Sequence, residues 1–249
     1  MIKNLLKATA FFVAFFCIIS GLNAQSVSIN GQLRPRFEYR DGYSTLSQDG
    51  VNAATFVSQR TRLNLNYTGT KFNVGFSIQD VRVWGDVPQL NKSDFYGPAI
   101  HQAWGEIVFN KFFAIKVGRQ EIVYDDQRIF GNVGWAQQGR SHDAAIIKVY
   151  PVEKAEINLG FAYNQNDEAL FGNVYTLKNY KAFQYLWYHQ SFGKFGISFL
   201  ALNNGMPYWD NKDTLNIKQW IVYSQTIGPR VTFKSGIITG SRYLDHKLS

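Results

Sequence analysis

From residue 27 to 40 the chain alternates strictly. Val27, Ile29, Gly31, Leu33, Pro35, Phe37 and Tyr39 fall on one side, and Ser28, Asn30, Gln32, Arg34, Arg36, Glu38 and Arg40 on the other. A period of two is the repeat of an extended strand, so the segment predicts a strand with one apolar and one strongly polar face. The alternation returns downstream. Val57, Leu63, Leu65 and Tyr67 interleave with Ser58, Arg60, Arg62, Asn64 and Asn66; Phe72, Val74, Phe76 and Ile78 with Asn73, Gly75, Ser77 and Gln79; Ala155, Ile157, Leu159, Phe161 and Tyr163 with Glu156, Asn158, Gly160, Ala162 and Asn164. Further strands are predicted over 100–109, 112–120, 141–150, 182–190, 195–202, 215–226 and 229–239. That makes about eleven, with 141–150 and 215–226 showing the weakest parity. Helical periodicity is absent.

The connections carry the next inference. Short ones (69–71, 110–111, 151–154, 191–194, 227–229) alternate with long ones (41–54, 85–99, 121–140, 165–180, 203–214). An antiparallel up-and-down sheet with its tight turns at one end produces this alternation, as outer-membrane barrels do; a soluble sandwich has no reason to keep it. The expected fold class is therefore all-β, an antiparallel up-and-down transmembrane β-barrel. Its apolar face would meet lipid and its polar face a lumen. Aromatics near predicted strand ends, among them Tyr39, Tyr67, Phe72, Trp84, Phe109, Phe112, Tyr150, Tyr163, Phe192 and Phe195, suit interfacial girdles. An odd strand count does not complete a single-chain barrel. The tail SRYLDHKLS also lacks an apolar closing strand, so a barrel truncated at its C-terminal end is expected.

Composition adds a compartment. Lys3 and Lys7 precede the apolar stretch ATAFFVAFFCIIS, and GLNAQ offers cleavage after Ala24. This predicts a signal peptide over 1–24 and one barrel domain over 25–249, with export to a bacterial outer membrane. Cleavage lowers the formal charge from +8 to +6 and removes Cys17, the single cysteine. Disulfides and Cys-based metal sites are thereby excluded from the mature chain. The sequons at 66–68 and 91–93 carry little meaning in such an envelope.

Catalytic signals are missing: the sequence has no GxSxG, HExxH, Walker A or GxGxxG. His101, His142, His189 and His246 are scattered without ligand spacing. Asp125 and Asp126, in DDQRIFG, lack the regular oxygen ligands of a calcium loop. No enzyme activity, cofactor or metal is expected. The arginines are the stronger signal. Arg34, Arg36 and Arg40 share one strand face, Arg60 and Arg62 share that of the next, and Lys116, Lys148 and Glu156 fall on the same predicted lumen side. Such charges point away from lipid, and a wall rich in Arg attracts anions and grips carboxylates bidentately. Generic lumen polarity explains the same pattern.

The stretch VGRQEIVYDDQRIFGNVGWAQQGRSHDA at 117–144 resembles the alginate export family of outer-membrane porins. The matching elements are GRQ, YDDQRIFGN, the Trp, and QGRSHDA opening the next strand; LRPRFEYR and QRTRLNL fit the family's first strands. The resemblance is specific around 117–145 and diffuse after residue 165. It implies an anion-selective barrel of about 18 strands with an Arg-rich constriction and loops folded into the lumen. Arg119, Arg128 and Arg140 would then be pore or loop-anchoring residues beside Arg34, Arg36, Arg60 and Arg62, with Asp125 and Asp126 as salt-bridge partners. Two departures stand out: the chain is far shorter than such a barrel needs, and parity puts Arg119 on the face of Val117 unless Gly118 hosts a bulge.

The expected function is passage of anionic solutes through an Arg-lined lumen, with export or passage of a uronate-type polysaccharide such as alginate as what the resemblance implies. The alternative is a structural or adhesive surface barrel without transport; a barrel enzyme such as an outer-membrane lipase is a third. Expected partners are outer-membrane lipid, the anionic solute or polysaccharide, and other envelope export or uptake components, with no nucleic acid.

Overall fold

The computed structural model describes residues 25–42, 44–90, 97–173, 175, 178–210, 218–235, 238–243 and 246–248. The predicted signal peptide with Cys17, the sequon at 91–93 and the connection 211–217 lie outside the described residues.

The strands are β1 (Ser26–Arg40), β2 (Ala54–Thr68), β3 (Phe72–Val83), β4 (Ala99–Asn110), β5 (Phe113–Gln120), β6 (His142–Val149), β7 (Ala155–Tyr163), β8 (Ala182–Phe192), β9 (Phe195–Asp210), β10 (Lys218–Ser235), β11 (Ile238–Tyr243) and β12 (His246–Leu248). β1 to β10 form one up-and-down sheet in chain order, each antiparallel to the next, and β11 and β12 both pair with β10. No helix occurs among the described residues. The sheet is not closed: among the described residues β1 pairs with β2 alone.

β1 to β9 fall where alternation predicts them. The end of the chain differs. β9 runs on to Asp210, and the predicted strands 215–226 and 229–239 merge largely into β10, so no turn stands at 227–229. Gly228–Pro229 reads as a turn, yet Pro229 lies in register opposite Phe199. β11 and β12 pair with β10 in the same register, the one from Arg230↔Tyr243 and the other up to Ile227↔His246.

The two faces are inverted relative to a water-soluble sheet. Leu33, Phe37, Leu63, Phe76, Val117, Phe161, Ile197 and Val231 are exposed, Leu33 by 68%. On the opposite face Ser58, Ser77, Asn158 and Ser198 are buried, and Arg60 is only 4% exposed. A one-sided soluble sheet buries its apolar side instead. The polar face is covered because the β5–β6 connection, residues 121–141, lies across it.

That connection also explains the weak parity of 141–150. On β6, β7 and β8 the covered face is apolar: Ala144, Ile146, Ala162, Phe183, Tyr185 and Trp187 cluster with Ile122 and Phe130 from the connection. Both faces of β6 are therefore apolar, one outward and one against the loop. Gly160 permits the closest contact in this cluster. A Cβ there would meet Tyr185 Cε1 at 2.0 Å, so the tyrosine ring lies flat on the glycine backbone.

Gly118 does not bulge. Pairing runs in step through it on both sides, Trp104↔Gly118 and Gly118↔Ala144, and the register irregularity of this hairpin lies between Val108 and Asn110. Gly118 instead takes φ 122°, where a Cβ would stand 2.3 Å from the Ala103 carbonyl oxygen. Arg119 accordingly keeps the parity of Val117.

Candidate functional site: an arginine-strapped loop on the covered face

The loop begins at an anchored strand end. Gln120, fully buried, donates from Nε2 to the Ala144 carbonyl at 2.9 Å. Glu121 then sits among three partners: His101 Nε2 at 2.7 Å from Oε1, Asn132 Nδ2 donating to Oε2 at 2.9 Å, and Arg62 at 3.5 Å. Partial burial alone would raise its pKa. The contacts with His101 and Asn132 and the Arg62 charge outweigh this and hold the carboxyl below its ordinary range. Glu121 thereby ties the start of the loop to its middle and to β2 and β4.

The first half of the loop docks on β8 to β10. Tyr124 stacks on Trp187 with centroids 4.3 Å apart, and its hydroxyl shares a 2.8 Å hydrogen bond with that of Tyr185. Phe130 packs against Tyr185 and Phe183. Asp125 accepts from Trp187 Nε1 at 3.0 Å and Ser198 Oγ at 2.6 Å, and lies 3.5 Å from Arg230. Both ends of that ion pair are mostly buried. A buried carboxylate needs such a set, because an unpaired charge in this setting costs several kcal/mol.

The second half is strapped to β1, β2 and β3 by side chains. Arg34 uses its whole fork: Nε donates to Gln137 Oε1 at 2.9 Å, and its two terminal nitrogens to the carbonyls of Gly134 and Ala136, each at 2.7 Å. Arg36 donates to the Trp135 carbonyl at 2.8 Å and to Glu38. Arg60 donates to Gln32 and, at 3.3 Å, to the carbonyls of Ala136 and Gln137. In return Gln137, 4% exposed, donates to the Ser58 carbonyl at 3.1 Å, and Gln79 donates to the Gln138 carbonyl at 2.9 Å. Val133, just before the strap, has φ 50°, a left-handed value that a β-branched residue holds only where its surroundings fix it.

Electrostatically the strap leaves charge behind. Arg34, Arg36, Arg40, Arg60 and Arg62 face Glu38 and Glu121; Arg36 and Arg40 both bind Glu38, at 2.8 and 2.5 Å. The acceptors of Arg34 and Arg60 are carbonyls and amides, which take their donors without neutralising the charge. Further along, Lys148 pairs with Glu106 at 2.5 Å and Lys116 lies 3.8 Å from the Trp104 ring centroid. Beside the strap a polar cavity of about 320 Å³ opens on the wall, bordered by Asn30, Gln32, Asn64, Gln102 and Trp104.

The residues singled out by sequence separate into groups. Arg34, Arg36, Arg60 and Arg62 meet the loop directly. Asp125 is held by Trp187, Ser198 and Arg230. Asp126 accepts from the Arg128 backbone N–H at 3.4 Å, and the Arg128 side chain is exposed. Arg119 pairs with Asp143 at 2.8 Å and donates to the Ile100 carbonyl. Arg140 is exposed, its backbone N–H donating to the Asn132 carbonyl at 2.7 Å. Glu121, Gln137, Ser58, Trp187 and Arg230 were not legible as site residues. Among the described residues no group of three or more His, Cys, Asp or Glu is placed to hold a metal ion. No protein-family model and no curated protein matches the chain.

Proposed function

We propose that the protein is an outer-membrane barrel wall whose inner face conducts anionic solutes, with uronate-type polysaccharide as the solute class that the family resemblance suggests. The observation that carries this reading is the inversion of the sheet. Apolar side chains cover the exposed face, and Arg34, Arg36, Arg60 and Arg62 line the opposite face of β1 and β2, where Glu38 and the loop's Glu121 are their carboxylate partners among the described residues. Lipid outside and a cation-lined lumen inside account for both at once. Conduction requires a closed barrel, so the test uses the protein inserted in a membrane. In planar bilayers under a salt gradient, the reversal potential is expected to show anion selectivity, reduced by Arg36→Gln and Arg62→Gln together. Cation selectivity that ignores both substitutions overturns the reading.

One observation favours a second reading. The β5–β6 loop occupies the inner face and engages the arginines that would meet a solute. A plugged barrel serving structure or surface adhesion uses such a loop as filler. Complete absence of conductance from a folded, membrane-inserted protein selects that reading.

A further inference from the structure

Four side chains outside the strap form one hydrogen-bonded chain toward the tight-turn end of the covered face. Asp125 Oδ1 accepts from Ser198 Oγ at 2.6 Å. Ser198 Oγ lies 3.1 Å from His189 Nδ1, and His189 Nε2 lies 3.1 Å from Ser191 Oγ. The direction of the chain follows from its donors. A serine hydroxyl has one proton, and Ser198 gives its own to the carboxylate. Toward His189 it can then only accept, so Nδ1 carries the imidazole proton. Nε2 of the neutral ring is left as an acceptor, and the Ser191 O–H donates to it. A nucleophile thus stands beside a general base of the right tautomer, and a carboxylate acts on that base through one interposed hydroxyl.

The base is held as well as oriented. His189 stacks on Trp187, with ring centroids 5.6 Å apart and planes within 5°. Asp125 also accepts from Trp187 Nε1 at 3.0 Å, so one carboxylate fixes both neighbours of the imidazole. Satisfying buried hydroxyls would need no open space at the end of the chain. Here His189 and the half-buried Ser191 border two cavities. One, of about 710 Å³, has an apolar side made by Phe112, Tyr150, Val152 and Ala155. The other, of about 400 Å³, is bordered by Lys194 and Lys234.

We infer that Ser191 and His189 hydrolyse carboxylic esters of apolar acyl groups. Ser191 Oγ attacks the ester carbonyl carbon while His189 Nε2 takes the hydroxyl proton. The tetrahedral oxyanion collapses, the bond from the acyl carbon to the alcohol oxygen breaks, and Nε2 returns the proton to the departing alcohol. Water, giving a proton to the same Nε2, then attacks the acyl-serine. The carboxylic acid leaves and Ser191 recovers its proton, so ester and water become acid and alcohol. The apolar cavity takes the acyl group, and Lys194 and Lys234 bring positive charge to the side where the oxyanion develops. Ser198 and Asp125 touch no substrate and are positioning residues. This activity is separate from conduction and needs only the β5–β6 loop docked on the sheet.

The whole chain in detergent is assayed with 4-nitrophenyl butyrate and 4-nitrophenyl acetate and labelled with a fluorophosphonate probe. Labelling at Ser191, located by mass spectrometry, and a higher kcat/KM for the butyrate ester are expected. Ser191→Ala is expected to abolish labelling and reduce hydrolysis to the background rate. His189→Gln is expected to lower kcat by about 10²–10⁴-fold, the usual contribution of a general base. Ser198→Ala is expected to lower kcat about tenfold or more, the value of one charge-assisted contact, with KM unchanged. Near-ultraviolet circular dichroism of Trp187 checks that the loop stays docked in each variant. Absence of labelling in the wild type, labelling only at another serine, wild-type hydrolysis by Ser191→Ala, or preference for the acetate ester overturns the proposal. A wild-type kcat in Ser198→Ala overturns the relay through Asp125.

Discussion

At the scale of single residues, the sheet's regularity hides positions that tolerate one side chain only. Gly160 carries the flat face of Tyr185, and the ring has no room to retreat. Its hydroxyl is tied to Tyr124, and Phe130 and Phe183 pack around it. Gly160→Ala forces overlap and is expected to cost about 1–3 kcal/mol, the usual range for overpacking. Urea unfolding in detergent, followed by tryptophan fluorescence, checks it; an unchanged midpoint refutes it. The alternation of Gly160 with Leu159 and Phe161 marked the position as covered. Nothing in the sequence announced that Tyr185, on the next strand, fills the missing side chain. Cross-strand partners depend on register, and register is fixed by connections whose ends a period of two locates only loosely.

At the scale of elements, the β5–β6 loop decides how the arginines act. Parity correctly put Arg34, Arg36, Arg60 and Arg62 on one face. What they grip was hidden, because most of their acceptors are backbone carbonyls at 134–137, which carry no residue identity. Arg34→Ala removes three donors from the strap. Each hydrogen bond to a charged group is worth about 1.5–3 kcal/mol, so tryptic cleavage after Arg128 or Arg140 is expected to rise at least about tenfold. Arg34→Lys is expected to rescue poorly, since an ammonium lacks the fork. Cleavage at the wild-type rate in both variants refutes the strap. Glu121 gives the same loop a pH dependence. Its folded pKa is lowered, so its contribution is complete above the ordinary value of 4.5 and is lost as the pH falls through the lowered value. The near-ultraviolet circular dichroism of the stacked Tyr124–Trp187 pair reports docking. The wild-type signal is expected to hold from pH 7 to pH 5 and to fall at lower pH, beyond about 4.5. In Glu121→Gln it is expected to be already diminished at pH 7. Identical acid profiles for the two proteins exclude Glu121 as the cause.

At the scale of the whole molecule, the exposed apolar face is the feature on which the membrane reading stands, and it separates two environments by sign. Leu65 and Asn64 are neighbours on β2 that point to opposite faces. Leu65 is exposed and sits in the row Ile29–Leu65–Phe76, while Asn64 faces inward, accepting from Ser77 Oγ and donating to Asn30. If the outer face meets hydrocarbon, Leu65→Arg places a charge there and is expected to lower folding stability in lipid vesicles by about 2–4 kcal/mol if the row lies near the midplane. The same substitution at Asn64 enters a polar, water-facing wall and is expected to change stability far less. A sheet whose exposed face met water would remove that difference. Leu65→Arg would then be nearly neutral, since a surface substitution away from packed features shifts stability by about 0.5 kcal/mol or less. Equilibrium unfolding of both variants in vesicles therefore reads the environment of the outer face directly. It does so without reference to conductance, loop docking or ligand, so it tests the membrane assignment apart from every claim about what passes through or binds.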